Sequence, residues 1–164
     1  MSTLRVDSIQ GQTAGTNRYV VQVLSTTKLD DHYQSSSTSY TDVTGVTLTI
    51  TPQSVNNKVL VSLSGAYGMN TGSRIALFNV VRGSTNIGLP PTVQTFTSSR
   101  TLYNNGTDQL HQLHFEFLDS PSTTDATTYK LQMRLNDSGI LYLGTRSSDD
   151  ARQGTTLTLM EIAQ

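Results

Sequence analysis

Between residues 46 and 51 the chain reads VTLTIT, with Val46, Leu48 and Ile50 in strict alternation with Thr47, Thr49 and Thr51. A period of two places successive side chains on opposite faces of an extended strand, whereas a helix repeats near 3.6. Pro52 closes the run, because it has no N–H to give to a ladder. Residues 58–65 return with Val59, Val61 and Leu63 on one face. The same period recurs downstream. Leu113, Phe115 and Phe117 alternate with Gln112, His114 and Glu116; Tyr129, Leu131, Met133 and Leu135 alternate with Lys130, Gln132 and Arg134. Leu157 and Leu159 share one side of residues 155–162.

Residues 18–25 (RYVVQVLS), 74–82 (RIALFNVVR) and 140–143 also read as strands, while 93–102 fits no single pattern. SVNN, GSTNIG, DSPSTTDA and residues 136–139 carry turn chemistry, and GAYG reads as a turn as well. KLDDHYQSSS and TSSRTLYNNG read as loops. This amounts to about eight to ten short strands with turn signals between them and no convincing helix. The expectation is an all-β fold, an antiparallel two-sheet β-sandwich that is jelly-roll-like, with Ig-like topology as the alternative. A domain of this size buries roughly 68–70% of its unfolded surface, enough for a core without staples. Residues 1–16 read as a short extended leader and linker, and 17–164 as the sandwich. Leu4, Val6 and Ile9 give the leader a brief apolar stripe, and GQTAGTN follows as a linker. Such a stripe either docks on another molecule, which would make these three residues an anchor, or ends as a frayed terminus or added edge strand.

Serine and threonine supply 45 of the 164 residues, while charged residues are only 14%, against roughly 25% in an average domain. Alternation of Thr with Val, Leu and Ile makes this strand chemistry and not a flexible linker. A hydroxyl surface stays wettable without charge, so it keeps its properties as salt varies. No Lys/Arg run or basic stripe occurs, which argues against nucleic-acid binding. There are no cysteines, so disulfides, thiolate metal sites and Cys nucleophiles are excluded. The N-terminus has no basic region followed by an apolar block, so a secretory signal is not expected. No apolar run approaches the ~20 residues of a membrane span.

The chemistry-bearing residues form no catalytic, cofactor or metal constellation. His111 and His114 lie three apart, on opposite faces of a strand, and cannot chelate one ion without a bulge. No G-x-S-x-G elbow, P-loop or dinucleotide spacing is present. Asp30–Asp31 and Asp149–Asp150 lack the calcium-loop pattern. Glu116 and Glu161 are the two glutamates of the chain, and neither sits beside a second carboxylate in a glycosidase motif. Aromatic recognition is one prospect, and simple packing at the rim of the sandwich is the alternative for each tyrosine. His32, Tyr33, Tyr67, Tyr103 and Asn104 fall in or near expected turns, and Tyr offers an apolar face and a hydroxyl at low entropic cost. These five are the candidate receptor-facing residues.

The string TSYTDVTGVTLTITPQSVNNKVLV, residues 38–61, resembles a module of tailed bacteriophages, marine ones especially, with a T-S-[FY]-x-D-V-T-G motif, a T-I-T-P strand end and a K-[VI]-L-V strand. VVRGSTNIG, FLDSPSTTDATTYK and the closing LTLMEIAQ also fit, and STLRVDSIQ is similar to the leader of phage fibre and appendage proteins. LDDHYQ and TSSRTLYNNG depart from the pattern. The resemblance implies a non-enzymatic virion β-sandwich, made in the host cytoplasm, forming a homotrimer and joining other virion proteins through its N-terminal segment. A fibre or tip subunit meeting a host surface glycan is the leading role implied, and a capsid decoration or head-fibre protein the alternative.

Overall fold

A computed structural model describes residues 18–29, 33–89, 98–107, 109–146 and 152–164. Within them the chain forms eleven strands: β1 (Val20–Lys28), β2 (Tyr33–Ser35), β3 (Thr41–Ile50), β4 (Lys58–Met69), β5 (Arg74–Arg82), β6 (Thr85–Ile87), β7 (Arg100–Asn104), β8 (His111–Asp119), β9 (Thr127–Leu135), β10 (Leu141–Leu143) and β11 (Thr155–Ile162). All pairings are antiparallel. The long strands nest like one ribbon folded on itself: β1 with β11, β3 with β9, β4 with β8, and innermost β5 with β7. Further ladders join β11 to β4 and β9 to β5. The ribbon thereby rolls into two sheets, β1-β11-β4-β8 and β3-β9-β5-β7, with β6 beside β7 along the edge of β5. That strand order is a jelly roll.

The alternation read from the sequence decides what the sheets enclose. Val59, Val61, Leu63, Leu113, Phe115, Leu157 and Leu159 from one sheet meet Val46, Ile50, Phe78, Val80, Tyr129, Leu131 and Met133 from the other in a single buried cluster. Each such side chain contributes about 1.5–3 kcal/mol on burial. Val43 and Val46 are three apart yet both buried, a placement that a regular strand forbids. A bulge between Asp42 and Thr47 resolves it, with Gly45 at φ 87° supplying the turn of the backbone. The T-D-V-T-G string thus encodes a bulge.

Four local expectations are corrected. GAYG lies inside β4, not in a turn; Gly68 is there because the backbone of Arg146 passes 2.2 Å from where its Cβ would stand. Tyr33–Ser35, expected as loop, forms β2 by pairing with β10. Residues 100–104, also expected as loop, form β7 along β5. GSTNIG is a turn only at Gly83 and Ser84, after which Thr85–Ile87 continues as β6.

Candidate functional site

At one end of the sandwich, β4 runs past its partner β11 and pairs instead with β10 through Tyr67, Gly68 and Met69. The loop before β10 then folds over the β4–β5 turn. Asn70 receives a hydrogen bond at Oδ1 from the N–H of Ile140 (2.8 Å) and donates its own N–H to the Ile140 carbonyl (3.3 Å). Arg74 donates from Nε to the Ser138 carbonyl at 3.1 Å, and Asn136 Oδ1 accepts from the Ile75 N–H at 2.6 Å. Ser73 at φ 57° and Gly139 at φ 131° mark the tight corners. The residue-70 turn, the residue-138 turn and the end of β7 therefore form one cross-laced tip. Exposed groups on it are held by backbone bonds, which lowers the entropy lost when such a surface meets a partner.

The sequence-derived candidates divide around this tip. Tyr103 on β7 is 62% exposed, and Asn104 is the last residue of that strand. Tyr33 is half-buried on β2 and packs against the core cluster. Register places Tyr33, Leu143, Tyr67 and His111 in one row across β2, β10, β4 and β8. Tyr67 is a correction: at 1% exposure it is core, not receptor-facing. Its ring stacks on His111 (5.2 Å) and meets Phe78 edge-on (5.6 Å). Burial pushes its phenol up to about 12, partly offset by the charge of Arg100. His114 points outward with its side chain 59% exposed, so the two histidines of H-x-x-H lie on opposite sheet faces. Among the described residues no three His, Cys, Asp or Glu side chains converge as a metal site. His32, Leu4, Val6 and Ile9 lie outside the described residues.

Two polar clusters at the opposite end went unread in the sequence. Glu161 is fully buried. Its carboxylate accepts from Gln22 Nε2 (2.6 Å), Asn57 Nδ2 (2.6 Å) and the Gln53 N–H (2.7 Å). Desolvation is the largest single influence and raises its pKa. Hydrogen bonds from Gln22, Asn57 and the Gln53 and Ser54 backbone together outweigh it and hold the group below its ordinary value. The carboxylate thereby pins the PQSVNN turn. The signal was parity, since Glu161 continues the inward set Leu157 and Leu159. In the second cluster, Asp119 accepts from Arg82 Nη1 (2.9 Å) and from the hydroxyl of buried Tyr129 (2.7 Å). Glu116 points outward and accepts from Ser62 at 3.1 Å. Glu116 and Glu161 therefore project from opposite faces of one sheet and cannot flank one glycosidic bond.

No family model and no curated protein matches the sequence. Solved structures that align with it include T=1 particles derived from infectious bursal virus (10% identity, TM-score 0.46, 97% of this chain and 42% of that one). Particles of a variant VP2 protein of infectious bursal disease virus align at 13% identity and TM-score 0.43, over 98% of this chain and 40% of that one. The Gt strain of the same virus gives 13%, 0.40, 97% and 44%. The chain spans about two fifths of the length of each. The jelly-roll assignment rests on strand order and not on these likenesses.

Proposed function

We propose that this chain is a non-enzymatic structural subunit of a phage virion, a fibre or tip domain that presents its laced loop end to a host surface. One observation carries the reading: the residues resembling the phage module are those that build the framework. T-D-V-T-G forms the bulge of β3, and T-P-Q-S-V-N-N-K forms the turn that Glu161 pins. Of the stretches that depart from the module, TSSRTLYNNG contributes exposed Tyr103 to the tip, while LDDHYQ contributes Tyr33, which is half-buried against the core cluster. A constant frame with individual tip content suits recognition, because a rigid scaffold can present loops of any content. Contacts through a few tyrosines and amides are weak singly. Copies in a homotrimer raise the effective concentration of each site for the next and multiply the strength of attachment.

In this reading residues 1–16 join the subunit to other virion proteins, and the receptor is a surface glycan. Electron microscopy of the assembled particle tests the location: density for this jelly roll at the tail or fibre is expected. Density on the capsid shell replaces the fibre role with decoration, and absence from the particle overturns both. Light scattering of the purified chain should give the trimer mass, and a monomer at micromolar concentration removes the trimer.

A further inference from the structure

The outer face of the β1-β11-β4-β8 sheet is not uniformly polar. Toward the tip its rows are hydroxyl-bearing or polar: Ser25, Thr158, Ser62 and Glu116 in one, Thr27, Thr156, Ser64 and His114 in the next. The next row toward the opposite end is wholly apolar. Register aligns Val23, Met160, Leu60 and Leu118 across all four strands, and Val20 with Ile162 extends the patch one row further on β1 and β11, where β4 carries Lys58. Val20, Val23 and Leu118 are about half exposed, at 52%, 54% and 49%. A continuous apolar patch on a hydroxyl-coated face marks a surface that another segment covers.

We infer that the occupant is the chain's own leader, residues 1–16, folded back so that Leu4 and Val6 lie on this patch. The leader joins the described structure at Arg18, two residues before Val20, which is the corner of the patch. In an extended segment Leu4 and Val6 share one side while Arg5 and Asp7 share the other, so one side suits the patch and the other suits water. G-Q-T-A-G-T-N between them and β1 contains two glycines for the reversal. Reach is ample: Leu118 lies three strand spacings from β1, about 14 Å, and a residue of extended chain spans about 3.3–3.6 Å. A tether this short gives millimolar effective concentration, so a modest apolar contact is enough to hold the segment. The inference concerns the unassembled chain and stands whether or not the leader later anchors a particle.

The absence of native cysteines makes the test clean. Val6→Cys is combined in the full chain with Leu60→Cys or Leu118→Cys, and for control with Thr49→Cys on the outer face of the other sheet. A short bismaleimide is added at low protein concentration. Crosslinks within one chain are expected for the patch pairs and not for the control. Crosslinks joining two chains, equal crosslinking of the control, or none for either patch pair overturn the inference. A second readout does not depend on register. The thiol of Leu60→Cys should react several-fold faster with a maleimide when Leu4→Ser and Val6→Ser are added, and an unchanged rate counts against the leader as occupant.

Discussion

Asn57 and Glu161 stand 104 residues apart in the chain and are joined by a 2.6 Å hydrogen bond from the amide Nδ2 to the carboxylate Oε1 in a site closed to solvent. The bond ties the turn after β3 to the last strand, so the framework closes on itself through a buried charge. That charge has no cation beside it among the described hydrogen bonds; amide and backbone N–H donors satisfy it.

Glu161→Gln tests this arrangement. A neutral amide offers one acceptor oxygen where the carboxylate offers two, and its NH2 would face other donors. Loss of about 1–3 kcal/mol at pH 7 is expected, measured by urea unfolding. The sign of the pH dependence follows from a folded-state pKa below the unfolded one. The stability contributed by the carboxylate is complete above the ordinary glutamate value of ~4.3 and is lost as pH falls through the lower folded value. The gap between native protein and variant should therefore shrink in acid. A constant gap from neutral pH down through that range would show that ionisation of Glu161 is not what stabilises the turn.

Tyr129→Phe removes the hydroxyl that reaches Asp119 while Arg82 still pairs with the same carboxylate. Destabilisation of about 1–3 kcal/mol is expected, since a charged acceptor loses a buried donor. Burial, then the hydrogen bond and charge of Asp119, raise the Tyr129 phenol above its ordinary range, and burial holds Tyr67 at about 12. Ultraviolet titration of the folded protein at pH 11 should leave both phenols protonated. Full tyrosinate formation with the fold intact would contradict their burial.

The long strands were legible because strict alternation has one geometric meaning, and β3, β4, β8, β9 and β11 follow it over most of their length. β2 and β10 were not legible as a pair. Residues 140–143 read as a strand by themselves, but the three residues of β2 did not: β2 pairs with β10, which pairs in turn with the extension of β4, so the order of β2 comes from a neighbour and not from its own pattern. Glycine misled at GAYG, where Gly68 serves a close backbone crossing rather than a reversal, and that error carried Tyr67 to the surface in the sequence reading. Glu161 was legible by parity but not by type: a carboxylate at an inward position makes sense only with donors from Gln22, Gln53 and Asn57, which no local window brings together. Tyr103 was placed at the exposed end by its turn-like surroundings, which the tip retains even though residues 100–104 form a strand.

Gly68→Ala should be among the most damaging single changes away from the central core. The added Cβ would lie 2.2 Å from Arg146 Cα and 2.4 Å from its carbonyl oxygen. Backbone cannot rotate aside as a side-chain end can, so the cost should reach or exceed the ~1–3 kcal/mol usual for overpacking. The segment after β10 must shift, and hydrogen exchange should rise first at Leu141, Tyr142 and Leu143. Gly83→Ala is the comparison, since no atom lies within 4 Å of its Cβ and only its φ of 59° opposes the change. Equal effects of the two substitutions, or protection of β10 retained in Gly68→Ala, would remove the crossing as the reason for this glycine.

Deletion of residues 1–12 separates the sandwich from its leader. The described ladders start at Val20, and every buried residue of the core cluster lies from Val43 onward. The shortened chain should therefore keep its strand-rich circular dichroism and unfold cooperatively. It should also bare Val23, Met160, Leu60 and Leu118, so binding of an apolar dye should rise while the fold persists. In an infected host, the shortened chain should accumulate as folded protein and be missing from purified particles if residues 1–12 form the anchor. Loss of folding on deletion would instead make the leader part of the core and move the domain boundary at residue 17. Normal incorporation of the folded, shortened chain would place the attachment to the particle on the sandwich itself.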